Sequence, residues 1–123
     1  MSRQGCLIIS LDFELYWGML GTVSQKSFAR NIDATRTAVL KILELFETYR
    51  IHATWATVGF LFFKSKSELS DSCPVIRPNY SDNRLSAYDH LEHIGDNEMN
   101  DQLHYAPSLI TKISATPGQE IAT

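Results

Sequence analysis

The chain has 123 residues, of which 44% are hydrophobic and 20% charged, and a formal net charge of -3. That length suits one domain, the apolar fraction is enough for a core, and the ordinary charge content argues against a disordered chain. The slight acidic balance, with no cluster of Lys and Arg interleaved with aromatic residues, argues against a nucleic-acid partner.

The N-terminus carries one basic residue, Arg3, and then a short apolar segment that runs into Asp12 without a small-residue cleavage site, so no signal peptide is expected. The longest apolar runs are far too short to span a bilayer. Cys6 and Cys73 are too few for a disulfide framework, and Cys6, at the head of an apolar strand, is expected to be a buried thiol. A reducing, cytoplasmic location follows.

In chain order, residues 5 to 12 have little alternation and predict a strand buried on both faces, as in a parallel sheet. It runs into Asp12-Phe13-Glu14-Leu15-Tyr16-Trp17-Gly18. If residues 12 to 14 stay extended, Asp12 and Glu14 face one point in space. Such a pair is costly unless a cation, a shared proton or water lies between them. The plainer reading is two acidic residues ending a strand at a solvated rim. Tyr16 and Trp17 offer ring faces on which a sugar could stack, or apolar surface to pack on the first helix.

A helix is predicted from about Asn31 to Tyr49, with apolar positions at Val39, Ile42, Leu43, Phe46 and Tyr49 and an N-cap at Asn31 or Asp33. Ile51 to Val58 reads as a second strand closed by Gly59, which makes a right-handed βαβ unit. Phe60 to Phe63 is expected to open a helix that fades at Lys64-Ser65-Lys66. From about 64 to 104 the chain is polar and punctuated by Pro74, Pro78 and Asn83, an excursion over one rim of the sheet with short helical turns around Leu85 to His93. Pro107 starts a short helix that stops before Pro117-Gly118, and Gln119 to Thr123 reads as the start of a third strand. A sheet edge left open there makes the chain look truncated, and marginally stable by itself.

Of the histidines, His90 and His93 have i, i+3 spacing and could bind a metal with Asp89 or Glu92; within a polar segment they read better as a solvated turn. His52 reads as a boundary residue of the second strand. Phosphate-binding glycine loops, nucleophile elbows and Cys-x-x-Cys pairs are absent.

Three segments, Ile9-Ser10-Leu11-Asp12-Phe13-Glu14, Ala53-Thr54-Trp55-Ala56-Thr57-Val58-Gly59 and Gly118-Gln119-Glu120-Ile121-Ala122-Thr123, together resemble the polysaccharide deacetylases with a NodB-type domain. The first stands where that family has its Asp-containing strand, commonly T-F-D-D-G, with D-x-E here in place of adjacent carboxylates. The second is similar to A-T-F-F-x-x-G. The third is similar to the strand that leads into the family's His-x-x-x-His metal motif.

The resemblance implies an α/β chain, the N-terminal part of a distorted (β/α) barrel of about seven strands, interrupted in the third strand. It implies metal-dependent hydrolysis of N-acetyl, or O-acetyl, groups on a polysaccharide or sugar precursor. Asp12 would be the general base, Glu14 a ligand of a divalent metal such as Zn2+, Tyr16 and Trp17 sugar contacts, and two histidine ligands would follow Thr123. An amide is a poor electrophile, so a metal that polarises the carbonyl and acidifies water suits that reaction. Residues 1–123 alone would then be inactive. Two alternatives remain: a glycoside hydrolase on a related barrel, or a non-catalytic carbohydrate-binding domain.

Overall fold

The computed structural model describes residues 5–123; Arg3 lies outside them. Three strands, β1 (Ser10–Phe13), β2 (Ala53–Thr57) and β3 (Gln119–Ala122), form a parallel sheet in the order β1-β2-β3. Four α-helices connect them: α1 (Gln25–Ala29), α2 (Ile32–Tyr49), α3 (Lys66–Ser72) and α4 (Pro107–Ala115), with 3-10 turns at 15–19, 59–62, 83–85 and 89–93. The fold is mixed α/β, as the alternation of strand and helix predicts.

Strand alternation sorts the sheet into two faces. Leu11, Phe13, Ala53, Trp55, Thr57 and Ile121 meet the helices, where Trp55 is 2% exposed and packs its ring edge-on against Phe13 at 6.1 Å and Phe46 at 6.4 Å. Val39 and Leu43 of α2 and Leu109, Ile110 and Ile113 of α4 complete this core. Burying an aliphatic side chain of that size stabilises the fold by about 1.5–3 kcal/mol. The other face carries Ser10, Asp12, Thr54, Ala56, Glu120 and Ala122. It is open: Ser10, Asp12 and Glu120 are exposed, and even Thr54 and Ala56 on the central strand are only half-buried.

The first strand is shorter than its apolar run. β2 begins at Ala53, so pairing starts at Ser10 opposite Thr54, one residue after the Thr54 N–H bonds to the Ile9 carbonyl. Residues 5 to 8 project past the end of the sheet. Leu7 and Ile8 are exposed, and so is Cys6, contrary to the buried thiol expected. Hydrophobicity alone cannot hold a strand where no partner strand runs beside it.

The helix expected at Phe60 to Phe63 is a single 3-10 turn, and α3 begins where that helix was expected to fade. The reason is a pair of reciprocal capping bonds, close to a capping box, at the first turn of α3. The Ser65 hydroxyl accepts from the Glu68 N–H at 3.2 Å, and Glu68 reaches back to accept from the Lys64 N–H at 2.8 Å. The Ser65-Lys66-Ser67-Glu68 signature was present in the sequence and outweighs the polar composition around it.

Pro107 opens α4 as expected, but its cap comes from afar: the Glu98 carboxylate accepts from the Ser108 N–H at 3.1 Å and pairs with Arg36 of α2. Arg36 also donates to the Tyr105 carbonyl at 3.2 Å. The 64–104 excursion is thus a built part of the domain, with Leu69, Leu91, Ile94 and Leu103 buried beneath it.

Gly118, before β3, has φ +78, and a Cβ there would lie 3.1 Å from the His52 ring. Gly118→Ala is expected to cost about 1–2 kcal/mol from the left-handed backbone alone, read as a lower urea midpoint with an unchanged slope. An unchanged midpoint would contradict this geometry.

Candidate functional site

The carboxyl ends of parallel strands are where α/β folds place ligands, because loops leaving that edge converge while the strands hold them rigid. Asp12 stands at this end of β1. Its register partner on β2 is Ala56, and Ala56 pairs with Ala122 of β3. Because β1 is at the edge of the three strands, the Ala56 methyl and then the Ala122 methyl follow Asp12 to one side along its row on the open face, and leave space beside its carboxylate. One row back, Ser10, Thr54 and Glu120 are in register, and the Thr54 hydroxyl donates to Glu120 at 3.3 Å.

Glu14 does not follow the strand. β1 ends at Phe13, Glu14 has φ -123 and ψ -25, and Leu15 takes the left-handed region with φ 48. The condition for the two carboxylates to share one strand face therefore fails at Glu14. Its side chain folds over Gly18, where an added Cβ would meet the Glu14 Oε2 at 1.9 Å. Glycine at 18 is what leaves the carboxylate that position.

A leucine at positive φ costs about 1–3 kcal/mol and persists only when its surroundings hold it. Here Leu15 is itself buried, the Tyr16 N–H donates to the Leu103 carbonyl at 3.2 Å, and the Trp17 indole N–H donates to the His104 carbonyl at 3.0 Å. The 15–19 turn is thus clamped by residues 103 and 104, almost ninety positions along the chain in the Trp17 bond.

Tyr16 and Trp17 are 6% and 7% exposed. The Tyr16 hydroxyl donates to the Val23 carbonyl at 2.8 Å, and its ring meets Phe28, His90 and His104. Trp17 packs on Phe60, His90 and His104. Of the two roles open to them, the structure shows packing, against Phe28 of α1, Phe60 and the histidines of the 90–104 segment, and both rings are buried.

Beneath this turn lies a cluster that the sequence reading missed. Asp101, 7% exposed, accepts from the Gly95 N–H at 2.7 Å and the Leu103 N–H at 3.2 Å, and lies 2.7 Å from His104 Nδ1. His104 is fully buried, and its Nε2 lies 2.9 Å from His90 Nε2. Burial opposes ionisation of Asp101, but the His104 hydrogen bond and the two amides outweigh it and hold the carboxyl below its usual range. Desolvation, then the neighbouring His104 and His93, push the His90 imidazole below its ordinary value, with Asp101 partly opposing. The Tyr105 phenol, which donates to the Gly95 carbonyl, is pushed up to about 12 by burial and by the charges of Asp101 and Asp96.

His90 therefore differs from the solvated turn expected for it: it is half-buried, while His93, its i+3 neighbour, is exposed. The one sequence signal for the cluster was His104 itself, a histidine inside the apolar run Leu103-His104-Tyr105-Ala106. His52 is exposed, beside Gly118. Among the described residues no three His, Cys, Asp or Glu side chains converge as a metal site, and no helix is long and apolar enough to cross a membrane.

Comparison of the chain with protein-family models, with curated proteins and with solved structures finds no match.

Proposed function

We propose that this chain is the N-terminal part of a metal-dependent deacetylase acting on an N-acetylated polysaccharide or sugar precursor. The observation that carries the reading is the placement of Asp12: at the carboxyl end of a parallel strand, on the open sheet face, at the head of a row that continues through Ala56 and Ala122. The three segments that resemble the polysaccharide deacetylases also fall on three adjacent parallel strands in chain order, as consecutive strands of a (β/α) barrel would. In such a barrel the open face becomes the interior, which suits its small and polar side chains.

Asp12 then takes the proton of the attacking water. Glu14, exposed just past the strand, offers a hard oxygen donor to a divalent cation such as Zn2+, which would supply Lewis acidity to the amide carbonyl. One carboxylate is not a complete site, and this reading assigns two histidine ligands to residues after Thr123. The unpaired thiols of Cys6 and Cys73 suit a reducing, cytoplasmic compartment.

The test is acetate release from an N-acetylated oligosaccharide by the complete protein, with bound metal measured in parallel. Glu14→Gln is expected to lower metal content, and Asp12→Asn to lower turnover with metal retained. Full activity in Asp12→Asn would sink the assignment, and release of reducing ends in place of acetate would transfer the chain to the glycoside hydrolases.

A further inference from the structure

The Asp101–His104–His90 chain lies outside the proposed reaction, and its proton bookkeeping is unusual. Asp101 accepts three hydrogen bonds, from two backbone amides and His104 Nδ1, so Nδ1 carries a hydrogen. His104 Nε2 and His90 Nε2 then face each other across 2.9 Å, which admits one hydrogen and no more. Either His90 donates to a neutral His104, or a protonated His104, balanced by the Asp101 carboxylate, donates to a His90 whose own hydrogen sits on Nδ1. The pair accommodates one added proton with that bond kept; a second, which makes both rings imidazolium, puts N–H against N–H, so the contact must open.

We propose that the His90–His104 contact is an acid-sensitive latch that holds the 89–93 turn over the rings of Tyr16 and Trp17. The groups facing His90 are His104 and Asp101 from the segment before α4, His93 from its own turn, and Tyr16 from the turn after β1. Lys66 of α3 binds the same turn from outside, its amine donating to the Glu92 and Ile94 carbonyls at 3.3 Å. Only Asp101 attracts a second positive charge in the pair, and its carboxylate is already committed to His104.

The sign follows from His90 titrating lower in the folded chain than in the unfolded one. The latch is closed above about pH 6.5, the unfolded histidine value, and its contribution is lost as pH falls below that, because the unfolded chain then binds more protons. Opening withdraws His90 from the rings of Tyr16 and Trp17, which it now touches just past the carboxyl end of β1.

The experiment is histidine side-chain nitrogen NMR of the full chain from pH 8 to 5, with Trp17 emission followed in a Trp55→Phe background. The expected result is a coupled pair whose two protonations are separated by more than about one pH unit, with a Trp17 emission change that accompanies the second. In His90→Gln, where an amide can still donate to His104 Nε2, that emission change disappears. Independent titration of His90 and His104 near the ordinary value, a flat Trp17 emission between pH 7.5 and 5, or an unaltered transition in His90→Gln would each overturn the latch.

Discussion

Asp12→Asn is expected to lower acetate release by the complete protein by about 10²–10⁴-fold, the usual worth of a positioned general base, while stability moves by less than about 0.5 kcal/mol. The two effects separate because Asp12 is exposed and its carboxylate has no hydrogen-bond partner among the described residues. Its carboxylate supports nothing in the fold, so an isosteric amide leaves packing intact and removes only proton acceptance. Acetate release at saturating substrate, set beside a urea midpoint, reads both quantities. A large drop in midpoint would mean instead that Asp12 is structural, and its place beside Ala56 and Ala122 would lose its functional meaning.

Asp101→Ala is expected to do the reverse and cost about 3 kcal/mol of stability. Three donors, the Gly95 and Leu103 amides and His104 Nδ1, would lose their acceptor in a place from which water is excluded. The loss reaches the 15–19 turn, because the same segment supplies the carbonyls that clamp Tyr16 and Trp17. The pH dependence gives a second check. With its pKa held below the ordinary 3.8, Asp101 contributes stability that is present above about pH 4 and lost as pH falls through its folded value. The variant's stability should therefore fall less steeply than that of the parent chain in acid. Parallel curves, or a cost below about 1 kcal/mol, would show that this carboxylate is not the organising acceptor.

Local pattern made several elements readable. The 3.6-residue spacing of Val39, Leu43 and Phe46 marked α2 to within a residue of its observed start at Ile32, and Pro107 marked the first turn of α4. The β-branched and aromatic run before Gly59 marked β2, whose Ala53–Thr57 lies inside the expected range. Each of these rests on neighbours within a turn or a strand. Cys6 shows the limit of that approach. An apolar run predicts burial, but burial needs a partner, and the partner strand begins only at Ala53.

The candidate site divides in the same way. A carboxylate at the end of a strand could be recognised in Asp12 because the apolar run that it closes is local. That Glu14 leaves the strand could not, since Leu15 adopts φ 48 only because residues 103 and 104 hold the turn from across the fold. The same distance hid the role of Tyr16 and Trp17, whose rings are consumed by Phe28, Phe60, His90 and His104.

By itself, then, the amino-acid sequence determined a parallel α/β arrangement, the positions of β2, β3, α2 and α4, and an acidic residue at a strand's carboxyl end. Periodicity, caps and turns are interactions over a few residues, and their free energies are set before the chain closes on itself. The tertiary structure alone decided which face of the sheet stays open, where Glu14 points, and that Asp101, His104 and His90 form one hydrogen-bonded chain. Those outcomes depend on which distant groups share a desolvated volume, where an unpaired donor or charge costs more than any local preference can repay.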